Sequence, residues 1–301
     1  MTNVIELQSV TRAFGGPRAL DDVTLTVPAG SIVGLLGRNG AGKTTLMSLI
    51  AGQDRPSSGR VAVFGQNPFE NESVLSRVRF VRDNQRYPDG YTLRHVLRIA
   101  PTYAPNWDAD VAAELADAMR IPDKVPVKSF SRGQLSAVAI LLSLAARAPV
   151  TLLDEPYLGL DVTARARFHD VLIRDYVAHP RTVVLSTHLI EESEALFDRV
   201  IIMDRGRVRA DLPSEQVPTH AFVLSGPGEA VDRLATDRTV LSTHAVPGLK
   251  SVTVHGAPEV GLVADAASSG VQVSAASLQE LVAAFGADSR EPVTLANGPR
   301  S

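Results

Sequence analysis

The feature that most constrains how this chain folds is a glycine-rich loop that fits the pattern G-x-x-x-x-G-K-[ST]. An apolar run at residues 31–36 precedes the loop and is typical of a buried parallel strand. The run at 45–51 follows it and predicts a helix. A strand, a glycine-rich turn and a helix N-terminus in this order favour the binding of phosphate groups by backbone N–H groups. The loop consists of Gly37, Arg38, Asn39, Gly40, Ala41, Gly42, Lys43, Thr44 and Thr45.

Two side chains of this loop carry its chemistry. We expect Lys43 to bring a point charge to the β- and γ-phosphates of a nucleotide. We expect Thr44 to place its hydroxyl on Mg²⁺. The sequence therefore predicts a site for a nucleoside triphosphate and a magnesium ion.

Two acids follow a second apolar strand, at residues 150–153. Asp154 lies where phosphate-loop enzymes carry a Mg²⁺-binding carboxylate, and Glu155 is placed to polarise an attacking water as a general base. His188 follows a third apolar strand, at 182–187, and we expect it beside the γ-phosphate. An acid pair can instead cap the next helix, and a histidine after a strand is commonly a surface residue.

A second candidate anion site lies apart from the first loop, at residues 130–134. The Ser131 hydroxyl and the Gly133 N–H stand at the N-terminus of a predicted helix. A helix N-cap explains Ser131 without any ligand, but it does not explain Gly133 at a helix-destabilising position. Phe14, in a turn between two strands, is by itself more typical of a packing residue than of a ligand contact.

The order of strands and helices predicts an α/β fold with a mostly parallel sheet. Helical periodicity between about residues 86 and 148 predicts a helical insertion into this fold. The expected strands are 4–10, 19–27, 61–64, 78–81, 150–153 and 182–186. The expected helices are 92–103, 108–119, 131–147, 163–177 and 189–196.

The composition changes past residue 211, where Leu212-Pro213 and Val217-Pro218 indicate a linker. We therefore expect two domains, at 1–211 and 212–301. The second is expected to be a small α+β accessory domain, with a disordered tail from residue 286. Its predicted strands are 221–224, 251–254 and 261–264, and its predicted helix is 277–285.

Charge and composition exclude several classes of function. The chain has 30 basic and 33 acidic residues and a net charge of −3, so no global field attracts nucleic acid. It has no cysteine, which excludes disulfides, thiolate zinc sites and cysteine nucleophiles. Residues 1–6 lack a signal-peptide pattern, and the longest apolar stretch, 138–146, is about half a membrane span. We expect a cytoplasmic protein, with any membrane span supplied by a partner.

Residues 1 to about 210 resemble an ATP-binding-cassette (ABC) ATPase subunit. The resemblance rests on motifs in a fixed order: Walker A at 37–45, the signature at 130–134, Walker B at 152–156, the D-loop at 159–161 and the switch histidine at 186–188. It implies a P-loop NTPase core with an N-terminal antiparallel β subdomain, the helical insertion and a small C-terminal α+β extension.

The resemblance also implies how such a site works. ATP and Mg²⁺ would bind, and two cassettes, identical or paralogous, would pair head to tail so that each signature closes on the partner's nucleotide. Phe14 falls where the family stacks an aromatic ring on adenine. The implied nucleotide contacts are Phe14, the loop at 37–45, Gln85, Ser131, Gly133, Gln134 and Asp161. The implied catalytic residues are Glu155, His188 and Lys43, and the implied magnesium ligands are Thr44, Asp154 and Gln85.

Within this family the chain is similar to bacterial ATPase subunits of small exporters, whose permease is a separate polypeptide. The segment at 103–108, the Ser-Arg-Gly-Gln signature and the short C-terminal extension are typical of that subgroup. The resemblance therefore implies a subunit that is peripheral on the inner face of the cell membrane, with its coupling surface near 83–105. The alternatives are an importer ATPase with a regulatory C-terminal domain and a non-transport ATPase that acts on ribosomes or DNA.

The chain departs from the family pattern in three motifs. Arg132 replaces the usual glycine of the signature, and Phe130 replaces its leucine. The segment Pro156-Tyr157-Leu158 precedes the D-loop where small residues are commoner. The Q-loop glutamine, which normally follows a strand directly, is ambiguous, because the strand offset selects Asp83 and the residue type selects Gln85.

We favour Gln85, because a neutral amide bonds a metal-bound water and an attacking water without repelling the phosphates, as a carboxylate would. Gln85→Ala is expected to lower permease-coupled ATPase activity by about tenfold, with basal ATP binding changed less. Asp83→Ala is the comparison variant and is expected to do less. Phosphate release and ATP binding measure the two effects, and a more damaging Asp83→Ala would show that the strand offset was the better guide.

Overall fold

The computed structural model describes residues 2–82 and 87–287. The chain divides into two compact units, Met1–Glu215 and Gln216–Ser301. The boundary that the sequence suggested, between residues 211 and 212, falls inside the last strand of the first unit.

The strands of the first unit are β1 (Asn3–Ala13), β2 (Arg18–Pro28), β3 (Ile32–Leu36), β4 (Ser58–Val63), β5 (Val78–Val81), β6 (Val150–Asp154), β7 (Thr182–Ser186), β8 (Arg199–Asp204) and β9 (Arg207–Pro213). Its helices are α1 (Lys43–Ile50), α2 (Glu72–Leu75), α3 (Leu93–Ile99), α4 (Ala109–Ala118), α5 (Arg132–Ala145), α6 (Val162–Ala178) and α7 (Ile190–Ser193). Short 3₁₀ turns lie at Ala100–Tyr103, Val127–Ser129, Glu194–Leu196 and Ser214–Gln216.

The larger sheet of this unit has the strand order β5-β6-β7-β3-β8-β9. Neighbouring strands are parallel except for β8 and β9. Strands β3, β6 and β7 are buried at every position, as their continuous apolar runs predict. Asp154 and Ser186 pair in register at the carboxyl ends of β6 and β7. The sheet therefore brings these two residues and the loop after β3 to one edge.

The smaller sheet is antiparallel, with the order β2-β1-β4. Buried side chains such as Ile5 and Leu7 of β1 belong to the same apolar cluster as Leu35 of β3 and Leu152 of β6. The two sheets of this unit therefore share one core. The predicted strands 4–10, 19–27 and 61–64 correspond to β1, β2 and β4, and the predicted α/β class with an N-terminal antiparallel part is confirmed.

The helical insertion contains α3, α4 and α5. The helix predicted at 92–103 is shorter, because the chain passes into the 3₁₀ turn Ala100–Tyr103, which carries Pro101 near its start. Asp108 caps α4 by accepting a hydrogen bond from the Val111 N–H at 2.8 Å. These local signals explain where α3 ends and where α4 begins.

Helix α6 is fixed to the core through a buried ion cluster near its C-terminal end. Asp175 is 4% exposed and lies 2.7 Å from Nη2 of Arg181 and 2.7 Å from Nη2 of Arg147. Removing one partner of such a buried cluster leaves an uncompensated charge, which is strongly destabilising. The cluster therefore ties the C-terminal end of α6 to Arg147, just after α5, and to Arg181, just before β7.

The strands of the second unit are β10 (Ala221–Pro227), β11 (Val240–Val246), β12 (Leu249–His255) and β13 (Gln272–Ala275), and its helices are α8 (Val217–His220), α9 (Gly228–Ala235), α10 (Val260–Ser268) and α11 (Leu278–Gly286). The sheet is antiparallel with the order β11-β12-β10-β13. From β10 to β13 the chain follows the split β-α-β-β-α-β pattern. Ser277 and Glu280 form a capping box at the start of α11, as the sequence predicted.

The strand predicted at 261–264 is wrong, because these residues lie in helix α10. Leu262 and Ala266 are both buried against the unit's apolar cluster, and their spacing of four is that of one helix face. A short apolar run does not by itself separate a buried strand from a buried helix. The start of the tail predicted from residue 286 is wrong, because Gly286 still belongs to α11. Residues 288–301 lie outside the described residues.

In the described part of the chain, no helix combines the length and the apolar character needed to cross a bilayer.

Candidate functional site

The glycine-rich loop follows β3 and requires glycine at two positions. Gly37 has a φ of 141°, and a Cβ there would lie 2.2 Å from the Met203 carbonyl oxygen. Gly42 has a φ of 104°, and a Cβ there would lie 2.5 Å from the Ala19 carbonyl oxygen. Both positions therefore exclude side chains, sterically and through their left-handed backbone. Gly42 stands at the N-cap of α1, so the helix begins directly under the loop.

Lys43 is 7% exposed and folds back under the loop. Its Nζ donates to the carbonyl oxygens of Gly37 at 2.7 Å and Arg38 at 3.2 Å. Burial lowers the pKa of Lys43, while the carboxylates of Glu155 and Asp154 partly offset that effect. The cation thus lies at the base of the loop, and its contact with a phosphate stays a prediction.

Thr44 and Asp154 meet at the edge of the sheet. Thr44 Oγ1 donates to Asp154 Oδ2 at 2.6 Å, and Ser186 Oγ donates to Asp154 Oδ1 at 2.7 Å. Asp154 is 8% exposed. A hydroxyl and a carboxylate are hard oxygen donors of the kind that Mg²⁺ takes from a protein, the other positions being filled by water and phosphate. The residues present therefore fit a magnesium ion at this point.

Glu155 and His188 are brought together across β6 and β7. Glu155 Oε2 lies 2.7 Å from His188 Nδ1, and Glu155 Oε1 lies 4.0 Å from Lys43 Nζ. Glu155 has a φ of 49°, an uncommon conformation for a residue other than glycine. Its backbone N–H donates to Ser186, to Oγ at 3.0 Å and to the carbonyl oxygen at 3.2 Å. The left-handed turn at Glu155 is thus held by β7.

The loop, Asp154, Glu155 and Phe14 line a cavity of about 380 Å³. Phe14 is 62% exposed, and the guanidinium of Arg12 lies 4.3 Å from the centroid of its ring. An exposed aromatic ring beside a phosphate loop contradicts a packing role, because it has no core to fill. Its position at the rim is compatible with stacking on a base, and that contact stays a prediction.

The signature residues lie on a different element. Ser131 caps α5, its Oγ accepting from the Gln134 N–H at 3.3 Å, while Gln134 Oε1 accepts from the Ser131 N–H at 2.9 Å. A Cβ at Gly133 would lie 2.2 Å from the Gly159 carbonyl oxygen. Close packing against the D-loop therefore explains Gly133, for which the sequence offered no reason other than a ligand. Nothing in the described residues brings Ser131, Gly133 or Gln134 to the lining of the loop cavity.

Asp161 caps α6, accepting a hydrogen bond from the Ala164 N–H at 2.8 Å, and it is exposed. It also stands apart from the lining of the loop cavity. Gln85 and Asp83, the two candidates for the Q-loop position, lie outside the described residues.

Sequence reasoning missed the role of Ser186. The sequence places this serine only at the end of a strand and in the switch motif, but its hydroxyl donates to Asp154 Oδ1 and accepts from the Glu155 N–H. The sequence feature that could have revealed this role is the position of Ser186 at the end of a buried strand, because Asp154 ends the neighbouring strand in register with it.

Comparison with known proteins gives a consistent family. A family model described as "ABC transporter" matches residues 20–158. The chain is 30% identical to the ABC transporter ATP-binding protein YtrB of Bacillus subtilis, over 65% of this chain and 68% of that protein. It is 32% identical to the daunorubicin/doxorubicin resistance ATP-binding protein DrrA of Streptomyces peucetius, over 70% of this chain and 65% of that protein. It is 32% identical to the sulfate/thiosulfate import ATP-binding protein CysA of Salmonella typhi, over 76% of this chain and 66% of that protein.

Two solved structures have a similar fold. One is an ATP-binding subunit of an ABC transporter, with a TM-score of 0.64, 25% identity, and coverage of 71% of this chain and 91% of that one. The other is a dimer of the ATP-binding cassette MJ0796 with ADP and Pi, with a TM-score of 0.61, 23% identity, and coverage of 70% and 98%. The chain spans slightly less than two thirds of the length of DrrA and CysA.

Ser186→Ala is expected to lower ATP turnover by about tenfold and to raise the Mg²⁺ concentration needed for half-maximal activity. The physical reason is that the variant leaves Asp154 Oδ1 without the Ser186 donor and removes one of the two acceptors of the Glu155 N–H, leaving only the Ser186 carbonyl oxygen. Phosphate release across a magnesium titration measures both effects. Ser143→Ala is the matched control, because the buried Ser143 Oγ donates to the Ala139 carbonyl oxygen inside α5, away from the loop. If the two variants had the same magnesium dependence, Ser186 would have no role in the site.

Proposed function

Because this chain belongs to the ABC transporter family of ATP-binding proteins, we propose that it is the ATP-hydrolysing subunit that drives a separate membrane permease. The observation that carries the proposal is the convergence of Lys43, Thr44, Asp154, Glu155 and His188 at the carboxyl ends of β3, β6 and β7. Together these side chains supply a cation, two metal ligands, a base and one further polar group, that of His188, within one small volume. Such a set is suited to phosphoryl transfer to water.

The proposed reaction is in-line attack of water on the γ-phosphate, in which the bond from phosphorus to the bridging oxygen of the β-phosphate breaks and ADP and phosphate are released. Glu155 orients the water and accepts its proton, and His188, 2.7 Å from the Glu155 carboxylate, holds that carboxylate in place. Lys43 stabilises the negative charge that develops on the phosphate oxygens. Thr44 and Asp154 would hold Mg²⁺, which supplies charge neutralisation at the phosphates.

We propose that two copies pair head to tail, or that this chain pairs with a paralogous cassette. Ser131 is exposed at the N-terminus of α5, so its hydroxyl and the neighbouring N–H groups are available to a phosphate from another subunit. The solved MJ0796 structure is described as dimeric, which supports the same arrangement here. A membrane permease is the second proposed partner, and it would place the chain on the inner face of the membrane.

We propose export as the direction of transport, on the likeness of the segment at 103–108 and of the signature to small exporter subunits. DrrA, named for drug resistance, and CysA, named for import, are both 32% identical to this chain. Sequence identity to these relatives therefore does not distinguish export from import. ATP-dependent loading of inverted vesicles that contain the permease would support export, whereas loading of right-side-out vesicles would overturn it.

The experiment that tests the whole proposal is recovery of the native protein from membranes with its bound partners. A co-purifying integral membrane protein is expected. Recovery with ribosomes and without a membrane protein would instead support a non-transport ATPase.

Glu155→Gln is expected to keep ATP binding and to lower turnover by about 100-fold or more, because the amide cannot accept the proton of the water. The variant is also expected to accumulate as an ATP-bound dimer, visible by size-exclusion chromatography. Glu72→Gln, an exposed position in α2, makes the same change of charge and is the control. Near-normal phosphate release from Glu155→Gln would contradict its assignment as the base.

Mixing two inactive variants tests whether sites are shared between subunits. Lys43→Ala weakens a subunit's own phosphate grip, and Ser131→Arg blocks the site of its partner. Their heterodimer has both substitutions in one site and leaves the other site intact. Equal mixing makes about half of the dimers heterodimers, each with one of its two sites active, so about a quarter of wild-type turnover is expected. Absence of recovery at every mixing ratio would indicate self-contained sites.

A further inference from the structure

Tyr157, two residues after Glu155, is a large residue where the family commonly has a small one, and it is 2% exposed. Its ring meets the ring of Phe168 edge-on at 5.5 Å between centroids. Its hydroxyl lies 2.8 Å from His169 Nε2 and accepts a hydrogen bond from Ser193 Oγ at 3.1 Å. Tyr157 therefore touches both α6, through Phe168 and His169, and α7, through Ser193.

Arg165 makes a parallel set of contacts one helical turn earlier on α6. Its Nη1 donates to the Leu160 carbonyl oxygen at 2.8 Å. Its Nε and Nη2 donate to the two carboxylate oxygens of Glu192 at 2.7 and 3.1 Å. This bidentate geometry is the strong form of an arginine–carboxylate pair. Arg165 thus also contacts both α7 and the segment that follows Glu155.

Two segments therefore meet on one face of α6. The first, residues 155–161, carries Glu155 and contacts α6 through Tyr157 and Leu160. The second, residues 186–193, carries His188 and contacts the same network through Glu192 and Ser193. Because residues four apart share one side of a helix, Arg165 and His169 can hold both segments at once.

We propose that Arg165 and His169 of α6, with Tyr157 as their bridge, are positioning residues that hold Glu155 and His188 in register for hydrolysis; this inference rests on the proposed function. We call this set the α6 clamp: Tyr157, Arg165, His169, Glu192 and Ser193. None of the five is placed in contact with nucleotide, and each acts through the backbone of a segment that carries a reacting side chain.

The helix is suited to this role because its first turn is capped and its last turn is anchored to other parts of the unit. Asp161 caps its first turn. Asp175 anchors its last turn through Arg147 and Arg181. A rigid element that fixes the supporting residues of a site is what precise placement of reacting groups requires.

The protonation states of the bridge give it one orientation. Burial raises the pKa of the Tyr157 hydroxyl, so the phenol keeps its proton and can donate. Burial also lowers the pKa of His169, which favours the neutral ring and leaves a nitrogen free to accept. Ser193 then donates to Tyr157, and Tyr157 donates to His169. Each buried polar atom of the bridge is satisfied in this arrangement.

Tyr157→Phe and Arg165→Met test the two halves of the clamp in the full-length protein. Each is expected to lower kcat by about tenfold, because small displacements of reacting groups are costly. The KM for ATP is expected to stay within about twofold, since the nucleotide contacts are untouched. Hydrogen exchange is expected to rise in both segments, 155–161 and 186–193.

Two matched controls lie on the same helix. Tyr176→Phe removes a phenol that donates to the Gly30 carbonyl oxygen at 2.6 Å. Arg174→Met removes a guanidinium that donates to Glu114. Both make the same chemical change away from the clamp, and both are expected to leave kcat unchanged. Comparing each pair at a temperature well below both values of Tm removes a general loss of stability from the result.

The outcomes separate the clamp from the function on which it rests. If the wild-type protein hydrolyses ATP and Tyr157→Phe keeps the kcat of Tyr176→Phe, the clamp is overturned and the proposed function stands. If the wild-type protein does not hydrolyse ATP, the proposed function fails. Hydrogen exchange then tests the clamp by itself: unchanged exchange of residues 155–161 and 186–193 in Tyr157→Phe would overturn it as well. If Tyr157→Phe does not fold, the comparison of Arg165→Met with Arg174→Met tests the clamp by the same criteria, kcat and hydrogen exchange.

Discussion

The carboxylate of Asp154 accepts one hydrogen bond from Thr44 and one from Ser186. These two bonds join the helix after the phosphate loop, strand β6 and strand β7, which are far apart in the sequence. A buried carboxylate oxygen that accepts no hydrogen bond costs free energy. The hydroxyls of Thr44 and Ser186 therefore stabilise the positions of α1, β6 and β7 relative to one another. Glu155 is the next residue in the chain, and its placement therefore depends on how Asp154 is held.

The backbone at Glu155 shows the consequence of that placement. A φ of 49° costs a residue other than glycine about 1 kcal/mol. The two hydrogen bonds from the Glu155 N–H to Ser186 offset this cost. A sharp left-handed turn at the end of β6 directs the Glu155 side chain toward His188 instead of continuing the strand. Strain at this residue is thus part of the geometry of the site.

The sequence predicted those features whose partners lie a few residues apart. The strand, loop and helix around Lys43 and the caps at Ser131 and Ser277 belong to this class, because spacing alone specifies them. Contacts such as that between Arg165 and Glu192 depend on the packing of α6 against α7, which no local pattern encodes. The sequence did not predict the helix at 260–268 for a similar reason. The helix is favoured over a strand by burial of one of its faces against the rest of the unit, and that packing is not visible in a short apolar run.

The segment between Walker B and α6 is in contact with helices on two sides. On one side, Gly133 packs against Gly159, and Ser136 Oγ of α5 donates to the Leu158 carbonyl oxygen at 2.6 Å. On the other side, Arg165 donates to Leu160. A displacement near His188 therefore has a continuous path of packed and hydrogen-bonded groups to the N-terminus of α5. Because a close-packed contact such as that at Gly133 transmits strain, the signature helix is expected to follow the segment that carries Glu155.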